Sequence, residues 1–277
     1  MNREAMWAIA NKDIRAIRTN IQLWLPMVIV PLVLGLILPT VGVLVVKNLD
    51  VSGMSDAEEL VNMITSLPVG DLKSHVEGLP TLNHRLVYML VNYMTAPFFM
   101  LIAVMASMII ATNSFVGEKE RRTLESLLFA PIDTMSLFLG KVLAAFIPAM
   151  VLTLGTVSVY GVVVDALTYS WFGGLVFPTF NWLPLVLWVT PTISLCTILI
   201  SVLISARVKG FQEAQQLAGV IVLPVVALVI GQATGLMLLQ TSVMLIIGAV
   251  LLVISLGLLK PIAKLNDRNV LFERQVH

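Results

Sequence analysis

The sequence contains little charge and a single cysteine, and both shortages exclude classes of protein. Asp, Glu, Lys and Arg together make up 12% of the 277 residues, whereas soluble globular domains carry about 25%. The mean hydropathy of +0.96 indicates a membrane protein. The lone Cys196 excludes an intramolecular disulfide and a cysteine-ligated metal cluster, and its place in a long apolar run predicts a small buried side chain. The net charge of +1 indicates no particular partner, and we expect none among nucleic acids.

Residue patterns that support catalysis are also missing. The spacing of His75 and His84 matches no helical metal pair, and the sequence has neither a His-Glu-x-x-His nor a Gly-x-Ser-x-Gly motif. Gly140 and Lys141 look like the end of a phosphate-binding loop, but Met135 stands where this loop requires a glycine. We therefore expect no catalytic residues, no metal site and no cofactor bound by this chain. Any energy from ATP must come from another chain.

Long charge-free runs divide the sequence into membrane spans. No charged residue occurs between Arg85 and Glu118, or between Glu213 and Lys260. A helix needs about 20 apolar residues to cross a bilayer, and the second of these gaps is long enough to be crossed twice with a turn between. We predict six spans, which tolerate internal prolines because neighbouring groups satisfy the freed backbone. The predicted spans cover residues 23–46, 86–112, 135–164, 182–205, 215–230 and 241–259.

The distribution of basic residues predicts the orientation of these spans. Fourteen of the 17 lysines and arginines lie in the two terminal segments and around the loops after spans two and four, and three lie on the other side. Basic residues concentrate on the cytoplasmic side of membrane proteins. We therefore predict a multi-pass protein of the plasma membrane with both termini in the cytoplasm, an arrangement that requires an even number of spans.

The first 21 residues have the pattern of an amphipathic helix. Apolar residues recur every three or four positions, Lys12 and Arg15 lie on the opposite face, and Arg18 follows them. Such a helix lies in the membrane interface, where its cations attract anionic lipid headgroups. The segment is either an ordinary anchor next to span one or also a contact for a cytoplasmic partner. Its apolar positions are Trp7, Ala10, Ile14, Ile17, Ile21 and Trp24.

The largest piece outside the membrane is the outer loop, residues 47–85. Ser55 and Glu58 fit a helix capping box, which predicts a short amphipathic helix over 57–67, and a second short helix is predicted over 71–77. Acidic residues outnumber basic ones in this loop. It is either a small lid on the membrane surface or a vestibule that attracts cations.

Ionisable residues are scarce inside the predicted spans. Proton and ion pathways through membranes normally use such residues, so their scarcity argues against a secondary transporter, and the lack of paired catalytic groups argues against an intramembrane enzyme. It favours an external energy source and a substrate that is at least partly apolar. Asp165 is expected to cap the outer end of span three. Gly231 and Gly235 permit either a close helix approach or a break in a re-entrant turn over 231–240.

A charged segment between spans two and three interrupts this apolar composition. It holds six charges in the eight positions from Glu118 to Glu125, so it must lie outside the hydrocarbon. It is either a solvated loop stabilised by pairs four residues apart, such as Glu118 with Arg122, or a surface that docks onto a partner with its leucines as anchors. The segment consists of Gly117, Glu118, Lys119, Glu120, Arg121, Arg122, Thr123, Leu124, Glu125, Ser126, Leu127 and Leu128.

The stretch 113–131, followed by Gly140 and Lys141, resembles the membrane-spanning subunit, or permease, of type-2 ABC exporters (the ABC-2 type). In that family a phenylalanine and a small residue precede Gly-Glu-Lys-Glu. Then come a basic and a small residue, Thr-Leu-Glu, leucines and a proline, and a later Gly-Lys opens span three. This sequence departs from the pattern at Arg122, where a glycine is common, which is a mild change on a polar helix face. The likeness extends over the whole chain at the level of architecture.

The resemblance implies an all-α integral membrane protein that forms a single permease domain over 1–277. Its parts would be an N-terminal amphipathic elbow helix (1–21), six transmembrane helices with the outer loop (47–85), a cytoplasmic coupling helix between spans two and three (117–131), and a cytoplasmic tail (260–277).

The resemblance also implies a mechanism in which the chain itself is not an enzyme. A separate ABC ATPase subunit would bind ATP and Mg²⁺ and dock onto the coupling helix, and a second permease subunit would complete a homodimer or heterodimer. The residues of 117–128 named above, apart from Ser126, would contact the ATPase, with Lys12, Arg15 and Arg18 as further contacts. The substrate would be amphipathic or hydrophobic, such as a drug, a peptide or a lipid. Sodium export is the alternative, because the outer loop is acidic, and a secondary transporter is the remaining one.

Overall fold

The fold is all-helical in the part of the chain that the computed structural model describes, residues 3–49, 61, 72–120, 134–208, 210–234 and 238–265. No strand occurs among these residues, which confirms the predicted all-α class. The helices are, in chain order, Arg3–Thr19, Ile21–Val30, Pro31–Ile37, Leu38–Asn48, Leu72–Glu77, Leu82–Met89, Leu90–Met94, Ala96–Glu120, Thr134–Phe172, Trp182–Pro184, Leu185–Val189, Thr190–Ser205, Phe211–Ala218, Gly219–Ile221, Val222–Ala233 and Thr241–Leu265.

Among the described residues, six helical segments are long and apolar enough to cross a membrane, which confirms the predicted number of spans. Span four has the predicted bounds. Each of the other five segments contains the predicted span and extends beyond it at one or both ends. We number these segments spans one to six in chain order. They cover Ile21–Asn48, Leu82–Gly117, Met135–Phe172, Trp182–Ser205, Phe211–Ala233 and Thr241–Lys260.

Span three extends beyond its predicted end at residue 164 and ends at Phe172. Asp165 therefore lies inside the helix, and the prediction that it caps the helix end is wrong. Its carboxylate accepts hydrogen bonds from the backbone N–H groups of Val176 (3.0 Å) and Phe177 (2.9 Å) in the loop that follows. The carboxylate thus has partners that lie far from it in sequence, which a hydropathy pattern does not reveal.

Short π-helical segments interrupt three of the spans, at Pro31–Ile37, Leu90–Met94 and Leu185–Val189. Such wide turns alter the regular backbone hydrogen bonding of a helix. In span two, the carbonyl oxygen of Val91 accepts hydrogen bonds from the hydroxyls of Thr95 (2.9 Å) and Tyr160 (2.8 Å). The π segment of span two is therefore joined directly to span three.

Span two lies at the centre of the bundle. In its most apolar stretch 83% of the residues are buried, against 17% in spans five and six. One half packs around Phe99, Tyr160 and Trp182, and the half nearer the N-terminal helix packs around Ile110 and Leu199. Because lipid is as apolar as these side chains, close packing rather than removal from water holds the spans together.

The loop between spans three and four folds back onto the first of these clusters. The centroid of the Phe177 ring lies 5.2 Å from that of Tyr160 and 4.6 Å from that of Trp182. Gly161 leaves room for this ring, because a Cβ atom there would stand 2.6 Å from it. Packing of Phe177 and the hydrogen bonds to Asp165 together fix the loop against span three.

Part of the outer loop is described. The helix Leu72–Glu77 confirms the second short helix predicted over 71–77. The other predicted helix, 57–67, and its capping box lie outside the described residues except for Val61, which packs in one cluster with Val76. The position of the loop as a lid or a vestibule stays a prediction.

Two further predictions concern spans four and five. Cys196 is a free, buried cysteine within span four, as predicted. The last helix of span five ends at Ala233, and residues 235–237 lie outside the described part of the chain. Both interpretations of 231–240, a close helix approach and a re-entrant turn, therefore stay predictions.

Gly248 of span six marks a close contact with span four. A Cβ atom there would stand 2.2 Å from Nε1 of Trp188, whose ring N–H donates to the backbone oxygen of Leu245 (3.1 Å). We expect Gly248→Ala to destabilise the protein by about 1–3 kcal/mol, because the indole must leave its position and the two helices must separate.

The matched control for this prediction is Gly257→Ala on the same helix. A Cβ atom at Gly257 would meet no other atom within 4 Å, so alanine should be neutral or slightly stabilising. The unfolding temperature of both variants is measured in detergent. A thiol-reactive dye follows unfolding, because it reacts with the buried Cys196 once this residue becomes exposed. Equal unfolding temperatures for the two variants would contradict the predicted contact.

Candidate docking site

Span two leads directly into the charged segment. Its last helix, Ala96–Glu120, includes the beginning of that segment, from Gly117 to Glu120. Gly117 is buried, and a Cβ atom there would stand 3.1 Å from Oδ1 of Asn113. The chain is described again from Thr134, where span three begins. A docking role stays a prediction for the whole segment. Its remaining predicted contact residues lie outside the described part of the chain; they are Arg121, Arg122, Thr123, Leu124, Glu125, Leu127 and Leu128.

The N-terminal helix, Arg3–Thr19, lies against the beginning of span three and touches the end of span two. Its basic residues Lys12, Arg15 and Arg18 are all exposed. They therefore lie on a surface that a partner or lipid headgroups could reach, which agrees with the predicted wet face of this helix.

The N-terminal helix buries only part of its predicted apolar face against the spans. Ala10 and Ile17 are buried, whereas Trp7 is 48% exposed. Asp13, which the apolar pattern leaves out, is only 7% exposed. A carboxylate therefore occupies the centre of the interface between this helix and the spans.

Asp13 meets two polar groups from different spans. The hydroxyl of Ser114, near the end of span two, donates to Oδ2 of Asp13 at 2.5 Å. The ammonium of Lys141, near the beginning of span three, lies 3.7 Å from the same carboxylate oxygen and donates to the backbone oxygen of Ser114 at 2.5 Å. We call these three residues the Asp13–Ser114–Lys141 cluster. It joins the N-terminal helix, span two and span three at one point.

The cluster is a buried ion pair with additional hydrogen bonds. Lys141 is 2% exposed, and its ammonium also lies 5.3 Å from the centroid of the Phe115 ring, within range of a cation–π contact. On the surface side, the ammonium of Lys12 lies 3.5 Å from the other carboxylate oxygen of Asp13. Removing one partner of such a buried pair typically costs about 3–5 kcal/mol, because the remaining charge stays buried.

Gly140 brings the backbones of the N-terminal helix and span three close together beside the cluster. A Cβ atom at Gly140 would stand 2.8 Å from the backbone oxygen of Met6 and 3.0 Å from Cβ of Ile9. Glycine thus allows the approach that places Lys141 next to Asp13. The Gly140–Lys141 pair, which is not part of a phosphate-binding loop, has this structural role instead.

The opposite side of the end of span two is also packed. Val116 is fully buried and lies in one cluster with Val208 and Ala214, which belong to the turn between spans four and five and to the start of span five. The helix that enters the charged segment is therefore held by the N-terminal helix and span three on one side and by span five on the other.

The family motif contains both Ser114 and Lys141, but it does not indicate that Asp13 is their partner. Asp13 carried one available signal, since it is an acid within the generally apolar and basic pattern of the first 21 residues. Its burial depends on contacts with residues about a hundred positions away, which periodicity cannot show. Within the described residues, no group of three or more His, Cys, Asp or Glu side chains is arranged to hold a metal ion.

Comparison with known proteins gives one match. The model of a family described as "ABC-2 family transporter protein" matches residues 7–271, which is nearly the whole chain. No curated protein and no solved structure matches the chain.

Proposed function

The chain belongs to the ABC-2 transporter family, and we propose that it is the permease of an ATP-driven exporter whose ATPase is a separate subunit. Family membership together with six apolar helices makes the chain a multi-pass, membrane-spanning transporter subunit. Such subunits are generally not catalytic themselves. The proposal concerns the direction of transport, the coupling to ATP and the site where the coupling occurs.

The observation that carries the proposal is the continuity of span two with the charged segment. The most buried span continues as one helix, Ala96–Glu120, into a segment with six charges in eight positions. A partner that binds this segment therefore applies force to the centre of the bundle. We assign the docking of an ABC ATPase, with its ATP and Mg²⁺, to the coupling helix over 117–131. The exposed Lys12, Arg15 and Arg18 of the N-terminal helix form a second contact with that subunit.

The remaining parts of the proposal follow from charge and polarity. The bias of basic residues supports cytoplasmic termini and a cytoplasmic coupling helix in the plasma membrane. Charged side chains are scarce inside the spans, so the spans offer little to a strongly polar or ionic substrate. An amphipathic or hydrophobic substrate, such as a drug, a peptide or a lipid, therefore fits best. A second permease subunit, as a homodimer or heterodimer, completes the path.

Reconstitution tests this function. The chain is co-expressed with a candidate ABC ATPase, sought among the neighbouring reading frames, and the purified complex is placed in proteoliposomes. We expect vanadate-sensitive ATP hydrolysis by the complex, none by the chain alone, and stimulation by members of a panel of amphipathic compounds. Vanadate-insensitive transport by the chain without an ATPase would overturn the proposal.

A further inference from the structure

We infer that Asp13 and Lys141 are positioning residues that make the N-terminal helix move with the beginning of span three, about a pivot at Asn20. This inference rests on the proposed function, because the motion is the one that an ATPase bound to the coupling helix delivers. It adds a route by which that motion reaches span one.

The N-terminal helix is attached to span three more extensively than to the helix that follows it in sequence. Its contacts with span three far exceed its contacts with the start of span one. Gly140 lets the two backbones approach at Met6, and Ile17 packs in one cluster with Phe138 and Val142 of span three. The helix is therefore fixed along most of its length to span three, the next span after the charged segment.

The connection to span one, by contrast, is a single non-helical residue. Asn20 has an extended backbone (φ −106°, ψ 104°), and its side-chain oxygen accepts a hydrogen bond from the backbone N–H of Gln22 at 3.1 Å. This cap starts the helix Ile21–Val30 independently of Arg3–Thr19. The two helices therefore do not share a continuous ladder of hydrogen bonds, and a rotation at one residue changes the angle between them.

The Asp13–Ser114–Lys141 cluster connects the two spans that flank the charged segment in sequence. Ser114 precedes the segment on span two, Lys141 follows it on span three, and Asp13 contacts both. A displacement of the charged segment is therefore transmitted to Asp13 through Ser114 on span two and through Lys141 on span three. The N-terminal helix must then follow the ends of spans two and three, while span one changes its angle at Asn20.

The chemistry of the cluster favours a positioning role over simple stabilisation. Apolar side chains of similar volume often hold helices together as well as a buried ion pair does. A carboxylate that must meet the Ser114 hydroxyl and the Lys141 ammonium together accepts only one register of the three helices. The ion pair therefore fixes the position of the N-terminal helix relative to spans two and three, in addition to attaching it.

Hydrogen–deuterium exchange of the purified complex with its ABC ATPase tests this inference. In the unmodified complex, ATP with vanadate should change exchange in Arg3–Thr19 and in residues 134–145 together. The double variant Asp13→Asn plus Lys141→Met removes both charges and leaves no buried charge unpaired. In this variant we expect the nucleotide-dependent change to persist in 134–145 and to disappear from Arg3–Thr19, which should exchange about ten-fold faster throughout because local opening is easier.

Two further variants complete the test. Asn11→Ala changes an exposed residue of the same helix and should leave the joint response intact. Ser114→Ala keeps both charges and should reduce the response of Arg3–Thr19 in the same direction as the double variant, which provides a readout if the double variant is not made in quantity. A double variant whose N-terminal helix responds to nucleotide as in the unmodified complex would overturn the inference. Failure of the proposed function looks different, since no part of the chain would then respond to nucleotide.

Discussion

The double substitution Arg121→Glu plus Leu124→Asp is expected to abolish co-purification of the ABC ATPase subunit with this chain. Reversing the charge of Arg121 sets like charges against each other in the docked state, and Leu124→Asp places an unpaired carboxylate where an apolar anchor should be buried. Each change typically costs about 2 kcal/mol or more at an interface. Together they would weaken docking about a thousandfold. Quantifying the ATPase retained by a tag on the permease, and vanadate-sensitive ATP hydrolysis, measures the effect.

The control for this experiment is Lys260→Glu, which reverses an exposed charge that is likewise predicted to be cytoplasmic. It lies at the end of span six, outside the predicted docking surface, and should leave the ATPase bound. Both variants must also be folded, which the thermal unfolding assay on Cys196 establishes. An Arg121→Glu plus Leu124→Asp variant that retains the ATPase and exports normally would show that the coupling helix is assigned to the wrong segment.

Gly140→Val is expected to detach the N-terminal helix from span three. Even the first added carbon would stand 2.8 Å from the backbone oxygen of Met6, and backbone cannot move aside as a flexible side chain does. The helix must shift, and Asp13 must then lose its place between Ser114 and Lys141. We expect a destabilisation of about 3 kcal/mol, at the upper end for overpacking, and reduced ATP-driven export by the complex.

Trypsin measures this detachment, because Lys12, Arg15 and Arg18 are exposed but lie in an intact helix. Cleavage at these residues requires local opening, so the Gly140→Val variant should be cut faster there. Gly155→Val is the matched control on the same helix, since a Cβ atom at Gly155 meets no other atom within 4 Å. Equal cleavage rates in the two variants would show that the contact with Met6 does not hold the N-terminal helix.

The bundle could be predicted from the sequence because a bilayer imposes strong and local conditions. A span must be apolar for about 20 residues and must satisfy its backbone within a helix, so charge-free runs reveal the six spans. The ends of the spans depend more on contacts with residues that are distant in sequence. Span three passes Asp165 and continues to Phe172, because that carboxylate finds backbone donors in the loop at Val176 and Phe177.

The candidate site was only partly accessible from the sequence. The motif over 113–131 led to the ABC-2 family, which the match over residues 7–271 confirms. The Asp13–Ser114–Lys141 cluster was not accessible, because an acid in an amphipathic pattern is assigned to the wet face unless a distant lysine is known to meet it. The docking role of Arg121 to Leu128 stays a prediction.

The unequal burial of the spans has a consequence for biosynthesis. Spans five and six keep mostly outward-facing surfaces in the single chain, so they depend little on the other spans of that chain for cover. Span two leaves the ribosome before spans three and four, against which it packs most extensively. Until those two are made, it stands in lipid without the neighbours that cover it. We therefore expect a chain that terminates just after span two to be degraded faster than the complete chain, which pulse labelling measures.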